Sequence, residues 1–297
     1  MNANKTGIES FDWTINPVTG CKFGCLYSPA GCYAKRMARR LGKTPKARAF
    51  IPEYHPERLA VIDGIKTGDV FINDMGDLFG PWVPDEWIRA VVSRVNANKA
   101  PVTWFYLTKN PARYTGIHAA CYSANSWLGT TLDMGFSSTG WSEPEYWQYV
   151  PSVEDRVDAI DELDYPRKWI SLEPFDAKNY DFYTEALHDI NVQWVVIGFN
   201  TSPGCKNTLA AVWKAMNLVH MLETFGIPVF VKDSIIDVAS TGSNFDPTNY
   251  PRDFPVGVSL ATKSAAWAST PAKAPAPKAR KPSITLESFQ RTITEHE

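Results

Sequence analysis

A short apolar run that ends in polar residues and is followed by a helix-like stretch recurs about six times along the chain. Asp69-Val-Phe-Ile-Asn73 precedes Asp85–Asn98, with Pro84 just before that helix. Val102–Leu107 ends in Thr108-Lys109 and precedes Pro111–Ala120. Trp127-Leu-Gly129 ends in Thr130-Thr131, and its helix is expected at Val153–Leu163, after an irregular aromatic stretch at 134–150. Lys168–Leu172 ends in Glu173-Pro174 and precedes Phe182–Asp189; Gln193–Ile197 ends in Gly198-Phe-Asn200 and precedes Thr208–Phe225. Ile227–Val231 ends in Lys232-Asp233, and upstream Phe11–Ile15 reads as a first strand. Unbroken apolar runs are strands buried on both faces, and their alternation with helices makes the sheet parallel. Six or seven such units favour an α/β fold built as a complete or partial (β/α) barrel of the TIM type. No glycine-rich phosphate fingerprint follows the first strand, which argues against a dinucleotide fold.

In such barrels the chemistry gathers at the C-terminal ends of the strands. Asp74, Lys109, Thr131, Glu173, Asn200 and Lys232 are therefore expected on one face. The loop after the first strand joins them there. It carries three of the five cysteines, Cys21, Cys25 and Cys32, in a stretch punctuated by Gly20, Gly24, Pro29 and Gly31 that lets the backbone fold tightly. Three thiolates without an obvious fourth suggest a metal centre with an open coordination position, and thiolate is the usual protein ligand of iron–sulfur clusters. Two other readings stand beside it. The three cysteines with Cys205 would make a structural zinc site, or the thiols are simply free, as cytosolic cysteines often are.

Charge is balanced over the 297 residues, with 30 basic and 32 acidic side chains, so no global field announces a polyanionic partner. Locally the balance differs. Residues 21–58 hold nine basic side chains against Glu53 and Glu57, a surplus of +7. Part of it lies on a helix expected at 33–41, with Ala34, Met37, Ala38 and Leu41 on one stripe and Lys35, Arg36, Arg39 and Arg40 on the other. A solvated helix face is one reading of such a run; contact with polynucleotide phosphates is the sharper one. An odd, clustered set of cysteines does not suggest a disulfide framework. The absence of a signal-like start or of a membrane-length apolar run fits a cytoplasmic protein that does not enter a membrane. Residues 1–262 are read as one domain, and 263–297 as a basic Ala/Pro/Lys-rich linker and short tail containing Lys273, Lys278, Arg280 and Lys281. Cys121, after His118-Ala-Ala, reads as a core residue on a helix.

Cys21-x3-Cys25, then Leu26-Tyr27, then Cys32-Tyr33-Ala34 resembles the cluster loop of radical S-adenosylmethionine (SAM) enzymes. The usual spacing there is C-x3-C-x2-C; here it is C-x3-C-x6-C, as though Ser28–Gly31 had been inserted. Trp13–Cys21, Asn73–Phe79, Leu107–Pro111, Ser171–Pro174 and Pro228–Lys232 further resemble a phage-associated family of radical-SAM-like proteins, distantly similar to spore photoproduct lyase. The resemblance implies a [4Fe-4S] cluster held by Cys21, Cys25 and Cys32, with SAM on the fourth iron, an external one-electron donor of flavodoxin or ferredoxin type, and a 5′-deoxyadenosyl radical that abstracts hydrogen from substrate. It further implies Tyr33 against the cofactor, Asn73 and Asp74 near the SAM amino group, Thr130 and Thr131 at the ribose or carboxylate, Glu173 as a further polar contact, and Gly198 close to adenine. Relatives often carry an acidic residue just after that glycine; here it is Phe199. Cys205 is placed to return a hydrogen atom to a product radical, as in spore photoproduct lyase, the alternative being a partly buried free thiol. The expected substrate is DNA or a modified nucleobase in the host cytoplasm. The step expected belongs to phage thymidine hypermodification, such as isomerisation of an amino-acid-modified thymidine. A small molecule or peptide is the alternative substrate, and a zinc-stabilised nucleic-acid-binding module without catalysis is the alternative class.

Overall fold

The computed structural model describes residues 4–5, 7–25, 31–117, 121–133, 150–188, 190–202, 204–243 and 245–254. In chain order these form β1 (Asn4–Lys5), β2 (Trp13–Ile15), β3 (Val18–Thr19), α1 (Tyr33–Leu41), α2 (Pro45–Arg48), β4 (Glu53–Tyr54), α3 (Leu59–Gly64) and β5 (Gly68–Ile72). There follow α4 (Asp85–Ala97), β6 (Val102–Thr108), β7 (Ser126–Thr131), α5 (Val153–Asp161), β8 (Lys168–Leu172), α6 (Tyr180–His188), β9 (Trp194–Ile197), α7 (Leu209–Thr224), β10 (Val229–Val231) and α8 (Asp233–Ala239).

One sheet runs β1-β2-β5-β6-β7-β8-β9-β10. Its seven strands from β2 to β10 are all parallel, and β1 is added antiparallel at the edge. The sheet curls without closing, because β2 and β10 end it rather than pair with each other; the fold is a partial (β/α) barrel. Helices between successive strands cover the outside, as right-handed crossovers require.

Successive side chains on a strand point to opposite faces, and that alternation divides the core in two. Outward-facing Val70, Ile72, Trp104, Tyr106, Leu128, Ile170, Leu172, Val195 and Ile197 pack beneath helical Ile88, Val91, Val212 and Leu218. Inward-facing Phe71, Phe105, Trp127, Trp169, Trp194 and Phe230 form a separate aromatic cluster with Phe11. Phe11 stacks on Phe71 at 4.9 Å, Trp169 lies 5.3 Å from Trp194, and Phe254 stacks on Trp194 at 5.5 Å. Two of the cluster's three indole N–H groups reach backbone carbonyls: Trp169 donates to Tyr106 and Trp194 to Asp253, both at 3.0 Å. Gly129 leaves the space that the Trp169 ring fills, since a Cβ there would sit 2.3 Å from the indole nitrogen.

Several expectations change. Pro111–Ala120 is a 3-10 run over Pro111–Ile117, with the poor helix formers Thr115 and Gly116 in it, and 118–120 lie outside the described residues. Thr130 and Thr131, expected as the polar terminus after Trp127–Gly129, are the last two residues of β7. On α1 only Ala34 and Ala38 are buried, and Leu41, expected on the apolar stripe, is 60% exposed. Cys121, expected in the core, is exposed. β1, the β3–β4 pair, α2, α3 and α8 are too short to leave a periodic signal. Leu26–Ala30 of the cysteine loop, the 134–149 stretch and everything from 255, including the 263–297 tail, lie outside the described residues. Among the described residues no helix is long and apolar enough to cross a membrane.

Gly129→Ala is expected to destabilise the protein by about 1–3 kcal/mol in denaturant unfolding, because the added methyl displaces a packed indole. Gly64→Ala, where a Cβ meets nothing within 4 Å, serves as the control and is expected to be neutral or slightly stabilising.

Candidate functional site

Above the aromatic layer the inward-facing positions become small or polar, and the half-barrel opens into a cavity of about 370 Å³ at the C-terminal strand ends. That volume falls in the usual range for ligand pockets. Cys21, Cys25, Cys32 and Tyr33 line one side; Asp74, Asp77, Lys109, Thr131, Ser171 and Glu173 line the strand ends; Phe199–Ser202 closes a further side.

The cysteine loop is hung from the ends of β2 and β5. Asn73 adopts the left-handed conformation (φ 68°), and its amide donates to the Val18 carbonyl at 2.7 Å. Asp74 accepts from Thr14 Oγ1 at 2.6 Å and from Asn16, whose own side-chain oxygen accepts from the Met75 N–H at 2.8 Å. Gly20 donates to the Met75 carbonyl and Cys21 to that of Phe50. A Cβ on Gly20 would meet the Ile51 carbonyl at 2.4 Å, so glycine is required where the chain squeezes past on its way to Cys21. Arg36 then ties the loop to the opposite wall, donating to the Gly31 carbonyl at 3.3 Å and to Ser202 Oγ at 3.1 Å.

Two charged groups missed by the sequence reading line or back the cavity. Asp77 is buried and accepts from Thr108 Oγ1 and the Lys109 and Phe79 N–H groups at 2.7–2.9 Å. Burial nevertheless pushes its carboxyl above the usual range, against the pull of those donors. Asp133, fully buried, pairs with both Lys109 and Arg156, the latter at 2.9 Å. Arg156 also donates to the Thr131 carbonyl at 2.6 Å, bracing the end of β7. The only sequence hint of Asp77 was its setting, a carboxylate directly before Leu78-Phe79.

Of the residues expected at the site, Cys21, Cys25, Cys32, Tyr33, Asn73, Asp74, Thr131 and Glu173 line the cavity. Asn73 does so with its side chain committed to Val18. Glu173 receives Lys232 Nζ at 2.6 Å, and Gly198 makes room for that pair: a Cβ there would lie 3.0 Å from both Glu173 Oε1 and the Lys232 stem. Gly198 and Cys205 are not part of the lining, although Thr201 and Ser202 of the Cys205 loop are. Thr130 is not brought in either. It lies on the outward face of β7, fully buried, with its hydroxyl on the Thr108 carbonyl at 2.9 Å; two neighbours on a strand cannot both face inward.

The donor set can be weighed against a cluster and against a single ion. Burial pushes the Cys21 thiol well up, and charge at Cys25 and Asp77 pushes it the same way, so a thiolate here needs a cation beside it. Among the described residues no three His, Cys, Asp or Glu side chains converge as ligands of one ion. A structural zinc site needs four ligands around one point, and the proposed fourth, Cys205, lies off the lining. Cys21, Cys25 and Cys32 line the same cavity, and an iron–sulfur cluster there would take one iron on each thiolate.

The basic surplus of 21–58 also sorts itself. Lys46 pairs with Glu53 and Arg58 with Glu57, leaving Lys22, Lys35, Arg36, Arg39, Arg40, Lys43 and Arg48 as the net +7.

The chain belongs to a family described as a protein of unknown function (DUF5131), which it matches over residues 5–235, a span that takes in every cavity-lining residue. No curated protein matches it.

Asp133→Asn is expected to cost about 3–5 kcal/mol in denaturant unfolding, because it leaves two buried cations without their shared counter-charge.

Proposed function

We propose that this protein is a radical-SAM enzyme whose cavity holds a [4Fe-4S] cluster on Cys21, Cys25 and Cys32 and binds SAM beside it. The observation that carries the reading is the lining of one strand-end cavity by those three thiols together with Asp74, Thr131 and Glu173. When bound, the cluster and SAM supply a reductive cleavage that yields methionine and a 5′-deoxyadenosyl radical, with the electron coming from an external flavodoxin- or ferredoxin-type donor.

The chain's own residues bind, orient and exclude water. Asp74, oriented by Thr14 and Asn16, offers its free carboxylate oxygen to an ammonium group. Thr131 presents a hydroxyl, and Glu173, held by Lys232, presents a carboxylate fixed in direction. Phe71, Leu107 and Phe199 contribute apolar wall that keeps water from a reactive intermediate. Phe199 also stands where an acidic contact to adenine is usual, so adenine would be held by stacking and backbone.

The substrate we propose is a nucleic-acid base, with the motif resemblance and the local basic surplus as support. The particular step is one in phage thymidine hypermodification, such as isomerisation of an amino-acid-modified thymidine.

Anaerobic reconstitution with iron and sulfide is expected to produce charge-transfer absorption, and Cys21→Ala, Cys25→Ala and Cys32→Ala are each expected to abolish it. With reductant and SAM, the wild-type chain is expected to release 5′-deoxyadenosine; reconstituted protein that never does so ends the proposal. Cys205→Ala is expected to keep both the absorption and 5′-deoxyadenosine. Loss of final product alone then assigns the thiol as hydrogen donor, and unchanged turnover removes that role.

A further inference from the structure

We propose that the solvent side of α1, with Lys22 before it and Lys43 after it, is the docking surface for a nucleic-acid strand, and that Tyr33 stacks on the base the strand presents at the cavity mouth. This deepens the nucleic-acid reading above and rests on it for the choice of polyanion.

Four observations carry it. The buried residues of α1 are Ala34 and Ala38, while Tyr33, Arg39, Arg40 and Leu41 are exposed. Arg36 is half-buried, lines the cavity, and is taken up by Gly31 and Ser202 as a strut. The acidic neighbours Glu53 and Glu57 are engaged with Lys46, Arg58 and His55. Of the rest, Lys35 is half-buried and Arg48 donates to the Gly42 carbonyl; Lys22, Arg39, Arg40 and Lys43 are exposed and without a hydrogen-bond or ion-pair partner among the described residues.

Four exposed, unneutralised cations on α1 and immediately beside it, in a chain whose net charge is −2, repel one another unless an anion is shared between them. A polyphosphate backbone supplies repeated charges along such a surface and gains by releasing its counterions. The aromatic partner is in place as well. Tyr33 begins α1, lines the cavity and is 57% exposed, so its ring offers a face to a planar group entering from the basic side. Base-on-aromatic stacking of this kind tolerates any base and contributes without reading sequence. Tyr33 and Arg40 lie on one side of the helix, two turns apart, so a strand whose phosphates meet Arg40 passes the ring.

The test is fluorescence anisotropy of a labelled oligothymidylate with the full chain, over roughly 50 to 200 mM salt. Four phosphate contacts predict a slope of log affinity against log salt of about −3 for a single strand. The triple variant Arg39→Gln/Arg40→Gln/Lys43→Gln is expected to flatten that slope by about 2 and to weaken binding roughly ten- to hundredfold at low salt. Arg39→Lys/Arg40→Lys is expected to keep both values, because phosphate contact needs charge rather than a guanidinium. Tyr33→Ala is expected to weaken binding roughly tenfold with the slope unchanged, and Tyr33→Phe to retain it.

An unchanged slope in the triple variant overturns the proposal. So does a loss reproduced only by neutralising Lys273, Lys278, Arg280 and Lys281 in the tail. Circular dichroism and SAM cleavage without oligonucleotide are expected to be unaffected in the triple variant, which separates a lost surface from a lost fold. The two readings fail separately. SAM cleavage without α1-dependent oligonucleotide binding removes the surface and leaves the enzyme, whereas binding through α1 without 5′-deoxyadenosine leaves the surface and removes the radical chemistry.

Discussion

A parallel sheet that curls without closing has an inner face that must be filled from within, and here aromatic rings fill it. The inward positions of five successive strands are Phe71, Phe105, Trp127, Trp169 and Trp194, one large ring from each, with Phe11 and Phe254 packed against them from the two ends of the chain. Rings of this size each bury enough apolar surface to dominate a core. They do the work that side-chain layers do inside a closed barrel. Two of the layer's three indole N–H groups, those of Trp169 and Trp194, are bonded to the carbonyls of Tyr106 and Asp253. Everything above it inherits its position from this floor.

The period of two then decides what stands above the floor. Two residues on from Phe105, Trp127, Trp169 and Trp194 come Leu107, Gly129, Ser171 and Val196, and two further on come Lys109, Thr131, Glu173 and Gly198. From the first of these layers Leu107 and Ser171 line the cavity, and from the second Lys109, Thr131 and Glu173 place polar groups around it. Gly129 and Gly198 make room for other side chains, the first for the Trp169 ring and the second for the Glu173–Lys232 pair. The cavity is therefore a consequence of shrinking side-chain volume along the inward face. No separate device is needed to make it.

That arithmetic also marks what could be read from the chain. Apolar runs ending in polar residues gave away the parallel strands, and with them the gathering of Asp74, Lys109, Thr131 and Glu173. Ending the third of these strands at Gly129 instead of Thr131 hid the parity that separates Thr130, outward and buried, from Thr131, inward and lining. Asp133 and Arg156 escaped because their pairing joins residues 23 apart across a stretch with no regular pattern, and periodicity carries no information about such contacts. Leu41 is apolar and helical, yet α1 buries only Ala34 and Ala38, against Phe50, Cys21, Cys32 and Met75, and that small contact ends before the last residue of the helix. Cys121 was misjudged on residue type alone, since cysteine is usually buried.

Alternation also sets a limit on what the sheet can contribute, because each strand can send only every second residue inward. A site that needs three thiols along one wall has to take them from a loop, and a loop has to be held. Here backbone and amide hydrogen bonds hold the first part: Asn73 grips Val18, Asn16 orders the turn at Asp74 and Met75, and Gly20 passes beneath Ile51. On the far side, Arg36 reaches from α1 to both Gly31 and Ser202, tying the end of the cysteine loop to the loop after β9. Of the cations on α1, Arg36 is thus the one with a structural task, and it is also the one nearest the cavity's interior. Arg39 and Arg40, by contrast, are exposed and make no hydrogen bond or ion pair among the described residues.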